Sequence, residues 1–234
     1  MEDWSKIKPD ANEQGLQIAK SWLSKRGLDW SFLEEKLHIR AVYVGRDYGG
    51  AGVAIPMFGI PREDEIIRIC RPISNIRYLN PPNKKIEELF NEQSLDNNNN
   101  PVIITEGITD ALTMIQIKPA AVEVVAIPGT LHAVNQDLFK KLTGRVVLTA
   151  MDNDTPGKKA SNDLRNSLLS VGVEAVQEIA IPEHYGDVND WFLASGEQDI
   201  LTEIMLSYAK ALQGKKTYDN ENHYERTPNV IFMR

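Results

Sequence analysis

Val102-Ile103-Ile104-Thr105-Glu106-Gly107-Ile108-Thr109-Asp110-Ala111-Leu112 is the stretch on which the reading of this chain turns. Val102 to Thr105 form an uninterrupted run of β-branched residues, the pattern of a strand covered on both faces in a parallel sheet. An acid and a glycine follow where the chain must turn, and helix-forming residues come next. Two further stretches repeat this arrangement. Val146-Val147-Leu148 leads into Asp152-Asn153-Asp154-Thr155-Pro156-Gly157, and Ile179-Ala180-Ile181 leads into Gly186-Asp187-Val188-Asn189-Asp190-Trp191. In open α/β sheets ligands collect in the crevice beyond the carboxyl ends of the strands. The acids of all three stretches are expected in that crevice.

Each cluster alone has an ordinary explanation, because acids before a helix cap it or complement its dipole. Three such clusters at successive strand ends are harder to explain as unrelated caps. Carboxylates that converge repel one another unless cations neutralise them. Hard oxygen ligands suit Mg²⁺ or Mn²⁺, ions that accompany phosphate chemistry. Asp152 and Asp154 alternate along an extended segment and so project to one side. Pro156 suits the first turn of the following helix. The later ligands of a calcium-binding helix–loop–helix are missing.

Outward from these stretches, residues 101–197 alternate strand and helix: strands 102–105, 123–127, 145–150 and 174–180, helices 109–117, 135–142, 156–171 and 188–195. This predicts a parallel sheet with helices on both faces. A further helix is expected over about 198–212 within a C-terminal segment, 198–234, that ends in a polar tail. Asp96 followed by Asn97 to Asn100 and Pro101 reads as a polar junction. Before it, residues 1–98 read as a smaller α+β unit. Residues 12–37 look helical and are broken at Gly27, with Ser31 as the cap of the second helix. Strands are expected at Ala41–Val44, Gly52–Phe58, Ile66–Arg71 and Ile76–Leu79, punctuated by glycine and proline.

The 234 residues are 42% hydrophobic, ample for a core. No apolar run is long enough to cross a bilayer and no signal-like N-terminus is seen, so a cytoplasmic protein is expected. One cysteine, Cys70, excludes an internal disulfide and a cysteine-based zinc site. The net charge of −7 is unevenly spread. Acids predominate in the segment carrying the three clusters. Ile66 to Ile86 holds Arg68, Arg71, Arg77, Lys84 and Lys85 with no acid at all. A basic stretch beside an acidic crevice suits a polyanion guided to a metal. His132 reads as a loop residue, the tryptophans as packing residues and Cys70 as a small apolar strand residue.

The order Glu-Gly-x-x-Asp, Asp-x-Asp-x-x-Gly, Asp-x-Asn-Asp resembles the Toprim domain shared by bacterial primases, topoisomerases and several nucleases. Ile127-Pro128-Gly129-Thr130 resembles the primase turn after the second strand. Upstream, Leu23-Ser24-Lys25-Arg26-Gly27-Leu28, Ala54-Ile55-Pro56-Met57-Phe58 and Arg77-Tyr78-Leu79-Asn80-Pro81 resemble segments of the primase polymerase core. The resemblance implies that Glu106, Asp152 and Asp154 are the catalytic and principal metal-binding carboxylates. It places Asp110, Asp187 and Asn189 at the outer metal positions, the last where replicative primases usually carry Asp. Arg77 and Asn80 fall on the template and nucleotide surface beside Lys84, and Arg68 and Arg71 join them on charge alone.

Neither a Cys/His zinc module nor a phosphate-binding loop of the helicase type is present. The expected protein is a primase-type catalytic core, of the kind found in phage and mobile elements. It would use Mg²⁺ or Mn²⁺ to join nucleoside triphosphates on a single-stranded DNA template, with a replicative helicase supplied by another chain. Two rivals share the acids: a metal-dependent Toprim nuclease, and a single-strand-binding replication accessory without turnover. A topoisomerase is disfavoured by the length of the chain.

Overall fold

A computed structural model describes residues 10–61, 64–73, 75–80 and 88–224, with side chains as far as residue 214. The first helix, α1 (Glu13–Ser24), starts at Asn12, whose side chain accepts the Gly15 N–H at 2.9 Å. Gly27, at φ 66°, turns the chain into α2 (Trp30–Leu37). The cap of α2 is Asp29 rather than the expected Ser31: its carboxylate accepts the Phe32 N–H at 2.6 Å. The charged acceptor two residues earlier outcompetes the hydroxyl as the cap.

Four strands then form an antiparallel sheet in sequential order: β1 (Arg40–Val42), β2 (Gly52–Pro56), β3 (Glu65–Ile69) and β4 (Tyr78–Leu79). β1, β2 and β3 each end two residues earlier than expected, and β4 begins two residues later. Arg40 crosses from β1 to the fully buried Glu65 of β3, donating from Nε at 2.9 Å and from Nη2 at 2.6 Å. Asp10 takes a third bond from the same guanidinium at 2.6 Å. A buried carboxylate left without that fork would be strongly destabilising.

The second sheet is wholly parallel, in the order β6-β5-β7-β8, formed by β5 (Val102–Thr105), β6 (Glu123–Ala126), β7 (Val146–Ala150) and β8 (Ala175–Glu178). α3 (Ile108–Ile117) joins β5 to β6, α4 (Thr155–Ser170) joins β7 to β8, and α5 (Val188–Ser195) and α6 (Glu197–Tyr224) follow β8. The helix expected over 135–142 is a 3₁₀ segment, Gln136–Leu142. The last helix runs twelve residues past the expected 212. Alternate residues of β5 serve two cores. Ile103 packs with α3, α5 and α6, while Val102 and Ile104 pack with Phe139, Leu164 and Leu168. Burial on both faces explains why these strands read as continuous apolar runs. The first core continues without a break into Leu23, Leu33, Val53 and Ile55 of the antiparallel unit.

The Asn-rich junction is an ordered loop. Arg145, buried beside β7, donates to the carbonyls of Leu95, Asn98 and Asn100 and to Asn98 Oδ1. A guanidinium has enough donors for several carbonyls at once, which a polar loop near a core requires. The loop is therefore bound to the body of the protein. Among the described residues no helix is long and apolar enough to cross a membrane.

Candidate active site

In the parallel sheet β6 lies on one side of β5 and β7 on the other, so the strand order reverses between β5 and β7. A crevice opens at such a reversal, beyond the strand ends. Glu106 leaves β5 and Asp152 leaves β7 at that point.

The turn after β5 is shaped around its acids. Thr105 Oγ1 donates to the Gly107 carbonyl at 3.0 Å. A Cβ on Gly107 would stand 2.9 Å from Asp110 Oδ2, so a side chain there would press on the carboxylate of the following helical turn. Asp110 is 6% exposed and accepts the Asn189 N–H at 3.1 Å. Glu106 is half-buried, and its Oε2 is buried without a hydrogen-bond partner among the described residues.

The turn after β7 is just as constrained. Asp154 caps α4 by accepting the Gly157 N–H at 2.7 Å. A Cβ on Gly157 would lie 2.2 Å from the Asp152 carbonyl oxygen, so only glycine lets the helix start this close. Asn153 is a residue that the sequence reading passed over. Its Nδ2 lies within 3.2 Å of the Ile181 and Pro182 carbonyls and 2.9 Å of the Tyr185 carbonyl, and its N–H goes to Gly186 O. It ties the second acidic turn to the third. Its place between two acids was a signal, but its acceptors lie about 30 residues away in a loop with no pattern of its own. Asp187 caps α5 through the Asp190 N–H at 2.7 Å.

The electrostatics show that these acids are neighbours. Burial, followed by Glu106, Asp187, Asp154 and Asp190, pushes the Asp152 carboxyl up to about 7. Burial raises Glu106, with Asp154 adding to it while the Asp152 N–H opposes. Asp110 is raised well above the usual carboxylate range by burial and then by Asp187 and Asp152. Asp187 is raised mainly by burial, and Arg26 works in the opposite direction. Among the described residues no trio of carboxylate, imidazole or thiolate groups forms a finished ligand set. The donor chemistry fits a hard divalent cation even so. All donors are oxygens, their mutual repulsion calls for positive charge, and Glu106 Oε2 has no partner among the described residues.

Glu106 also lines a cleft of about 320 Å³ between the two sheets, facing Met57, Ile66, Tyr78 and Asn80, with Pro128 and Gly129 at its edge. Tyr78, on its wall, brings its Oη to 3.4 Å from Thr109 Oγ1 of α3. Exposed Leu131 and Val134 sit on the next turn. The expected basic residues divide. Asn80 faces the Glu106 cleft, whereas Arg68, Arg71 and Arg77 line a separate cavity of about 400 Å³ with Trp22, Lys25 and Arg26. Arg68 packs its guanidinium over Trp22 at 5.1 Å and Tyr78 at 4.9 Å, and Arg26 also lies over Trp22, at 3.9 Å. Burial and then Arg68 lower Arg26, and burial with a smaller push from Arg77 lowers Arg68. Two crowded guanidiniums between aromatic rings form an anion-seeking surface. Arg26 was visible in the sequence as part of a motif but not as part of this cavity. Lys84 lies outside the described residues.

Residues 103–192 match the Toprim-like family model. No curated protein sequence matches the chain. Solved primase structures share its fold. The Aquifex aeolicus primase, comprising zinc-binding and RNA polymerase domains, superposes with a TM-score of 0.66 at 22% identity over 84% of this chain and 56% of that one. The present chain thus spans little more than half of that protein. The primase fragment of the bacteriophage T7 primase-helicase gives 0.60 at 20% identity, over 86% of this chain and 83% of the fragment. A DnaG primase catalytic domain bound to single-stranded DNA gives 0.58 at 19% identity, over 83% and 74%. The chain has the fold of a primase catalytic core, with a Toprim-like domain in its parallel part.

Proposed function

We propose that this protein is a primase-type nucleotidyltransferase that builds short RNA primers on single-stranded DNA. The observation that carries the reading is the apposition of two oppositely charged surfaces. One is the carboxylate cluster at the β5 and β7 ends, and the other is the arginine-lined cavity of the antiparallel unit, with Arg26 close enough to influence Asp187. A template strand and a triphosphate are both polyanions. The arginines would bind them, while the acids would repel them unless metal is present.

Glu106, Asp152 and Asp154 would hold Mg²⁺ or Mn²⁺, with Asp110 and Asp187 at the outer positions, while Asn189 has its Nδ2 committed to the Arg26 carbonyl and Thr113. Bound there, the metal neutralises charge on the triphosphate and its leaving pyrophosphate. The chain's own contribution is placement. Asn153 and Gly157 hold the Asp152 turn in register, and Arg71 and Arg77 would grip phosphates. Asn80 and Tyr78 would border the nucleotide in the Glu106 cleft. Positioning of this kind accounts for much of the acceleration in phosphoryl transfer. The expected partners are single-stranded DNA, nucleoside triphosphates and a helicase on another chain. The single-stranded DNA held by the DnaG domain of like fold supports the first of these.

The test is incubation with mixed single-stranded templates, labelled nucleoside triphosphates and either metal, resolved on a denaturing gel. New short products that vanish with Asp152→Asn support synthesis. Shortened templates without added nucleotide would make the protein a Toprim nuclease. Salt-dependent binding with neither product would make it an accessory.

A further inference from the structure

The turn Arg26 to Asp29, which joins α1 to α2, is held by the parallel unit at three points. Gln116 of α3 accepts the Asp29 N–H at 2.7 Å and donates to the Gly27 carbonyl at 2.9 Å. Gly27 packs so closely on α5 that a Cβ would stand 2.6 Å from Phe192 Cε1. Asn189, 6% exposed, donates from Nδ2 to the Arg26 carbonyl at 2.9 Å and to Thr113 Oγ1 at 2.9 Å.

The chemistry of that third point selects an amide. A carbonyl only accepts. The Thr113 hydroxyl gives its hydrogen to the Thr109 carbonyl at 3.1 Å, so its oxygen must accept from Asn189. An Asn Nδ2 has two hydrogens and satisfies both, whereas an ionised carboxylate has none. A carboxylate at 189 would face two acceptors and add a second charge beside buried Asp110, which already accepts the Asn189 N–H.

What this clamp holds is Arg26. Its guanidinium lies over Trp22, bonds the Trp22 carbonyl at 3.1 Å and lines the basic cavity. It is also the cation that acts on Asp187 at the acid cluster. We infer that Asn189 is a positioning residue: its amide fixes the Arg26 turn, and so sets the spacing between the guanidinium that takes a nucleotide phosphate and the carboxylates that take the metal. The identity of what Arg26 binds rests on the synthesis reading. The clamp does not.

The test uses the full chain with Asn189→Ala, Asn189→Asp and, as a second route to the same turn, Gln116→Ala. Hydrogen exchange reads the clamp, Mn²⁺ titration alone reads the acids, and a fluorescent nucleoside triphosphate with Mn²⁺ reads the spacing. Exchange across residues 27–32 should quicken by about tenfold in all three variants, the scale of one lost buried hydrogen bond. Nucleotide binding should weaken by a similar factor. Mn²⁺ affinity of Asn189→Ala and Gln116→Ala should stay within about twofold of the parent, since neither change removes a carboxylate. Mn²⁺ binding lost by about tenfold in Asn189→Ala, with exchange unchanged, would overturn the inference in favour of a ligand role. Parent-like exchange and nucleotide binding in Asn189→Asp would overturn it as well. A parent protein that binds no nucleotide would sink the synthesis reading instead, and the exchange and Mn²⁺ results would still decide the clamp.

Discussion

The two units of this protein handle charge in opposite ways. In the parallel unit, like charges are forced together by topology. β5 and β7 are adjacent, the turns after them carry acids, and burial raises those acids until Asp152 reaches about 7. In the antiparallel unit, positive charge is tolerated through stacking. Arg26 and Arg68 both lie over Trp22, and among the described residues neither has an acid in ion-pair distance and Arg68 Nε is buried without a partner. Neither arrangement is stabilising in itself, because unpaired charge taken out of water is costly. Stability given up at a site is the mark of a functional surface. Here the two costly surfaces adjoin, each suited to what the other repels.

The comparison breaks most severely if the acids are not the reacting centre. Asp152→Asn and Glu106→Gln should each lower primer formation by about a thousandfold, the scale for losing a group that stabilises transition-state charge. Both should keep single-strand binding intact, as measured by fluorescence anisotropy. Synthesis within tenfold of the parent would remove the acids from the chemistry. Gly157→Ala probes the same turn without changing a charge. The new Cβ meets the Asp152 carbonyl at 2.2 Å, so the turn must move. A displacement near 1 Å costs about a hundredfold in rate. Parent-like turnover in that variant would show that the position of Asp152 is unimportant.

The basic surface should respond in the other measurement. Arg71→Ala and Arg77→Ala alter exposed residues of the arginine cavity. Each should weaken single-strand binding uniformly across sequences and reduce the slope of log K against log salt by about 1. Substitutions among the acids should leave that slope alone. An unchanged slope in both arginine variants would move the template path elsewhere.

The same contrast explains what could be read in advance. β5 and β7 were legible because burial on both faces writes apolar runs that lead into acids, whereas the third run, Ile179 to Ile181, lies past the edge strand β8 and Asp187 follows only after a loop. The order of elements, the acid-bearing turns and the bounds of α5 followed from local pattern. The antiparallel unit was harder. Its strands are short, and the cap of α2 fell to Asp29 rather than Ser31 because two capping residues stand two positions apart and the charged one takes the Phe32 N–H. Asn153, Gln116 and Arg145 act through carbonyls 28 to 89 positions away, and backbone acceptors leave no trace in a side-chain pattern. Asn189 drew attention only as a departure from the expected acid, and its partners, Arg26 and Thr113, supply a physical reason for the amide.

The smallest effect is on stability, and its sign follows from the raised acids. Asp152 titrates near 7 in the folded protein against an ordinary value of 3.8, so the folded state holds its proton more tightly than the unfolded one. That contribution is fully present below about pH 4 and is lost as the pH rises through 7. Glu106, Asp110 and Asp187 are shifted upward too and act with the same sign. In EDTA the melting temperature should therefore fall between pH 5 and pH 8. Asp152→Asn, which carries no charge to bury, should flatten the fall and melt about 2–4 °C above the parent at pH 8, the shift expected for roughly 1 kcal/mol in a chain of this size. Added Mg²⁺ should raise the parent more at pH 8 than at pH 5, because its ligands must be deprotonated to bind. The basic surface supplies the control: Arg71→Ala should leave the pH profile in EDTA unchanged, since Arg71 is exposed and is not among the groups that shift these acids. A parent whose melting temperature is level from pH 5 to pH 8 in EDTA would mean that the acids lie too far apart to repel, and the apposition of the two surfaces would lose its acidic half.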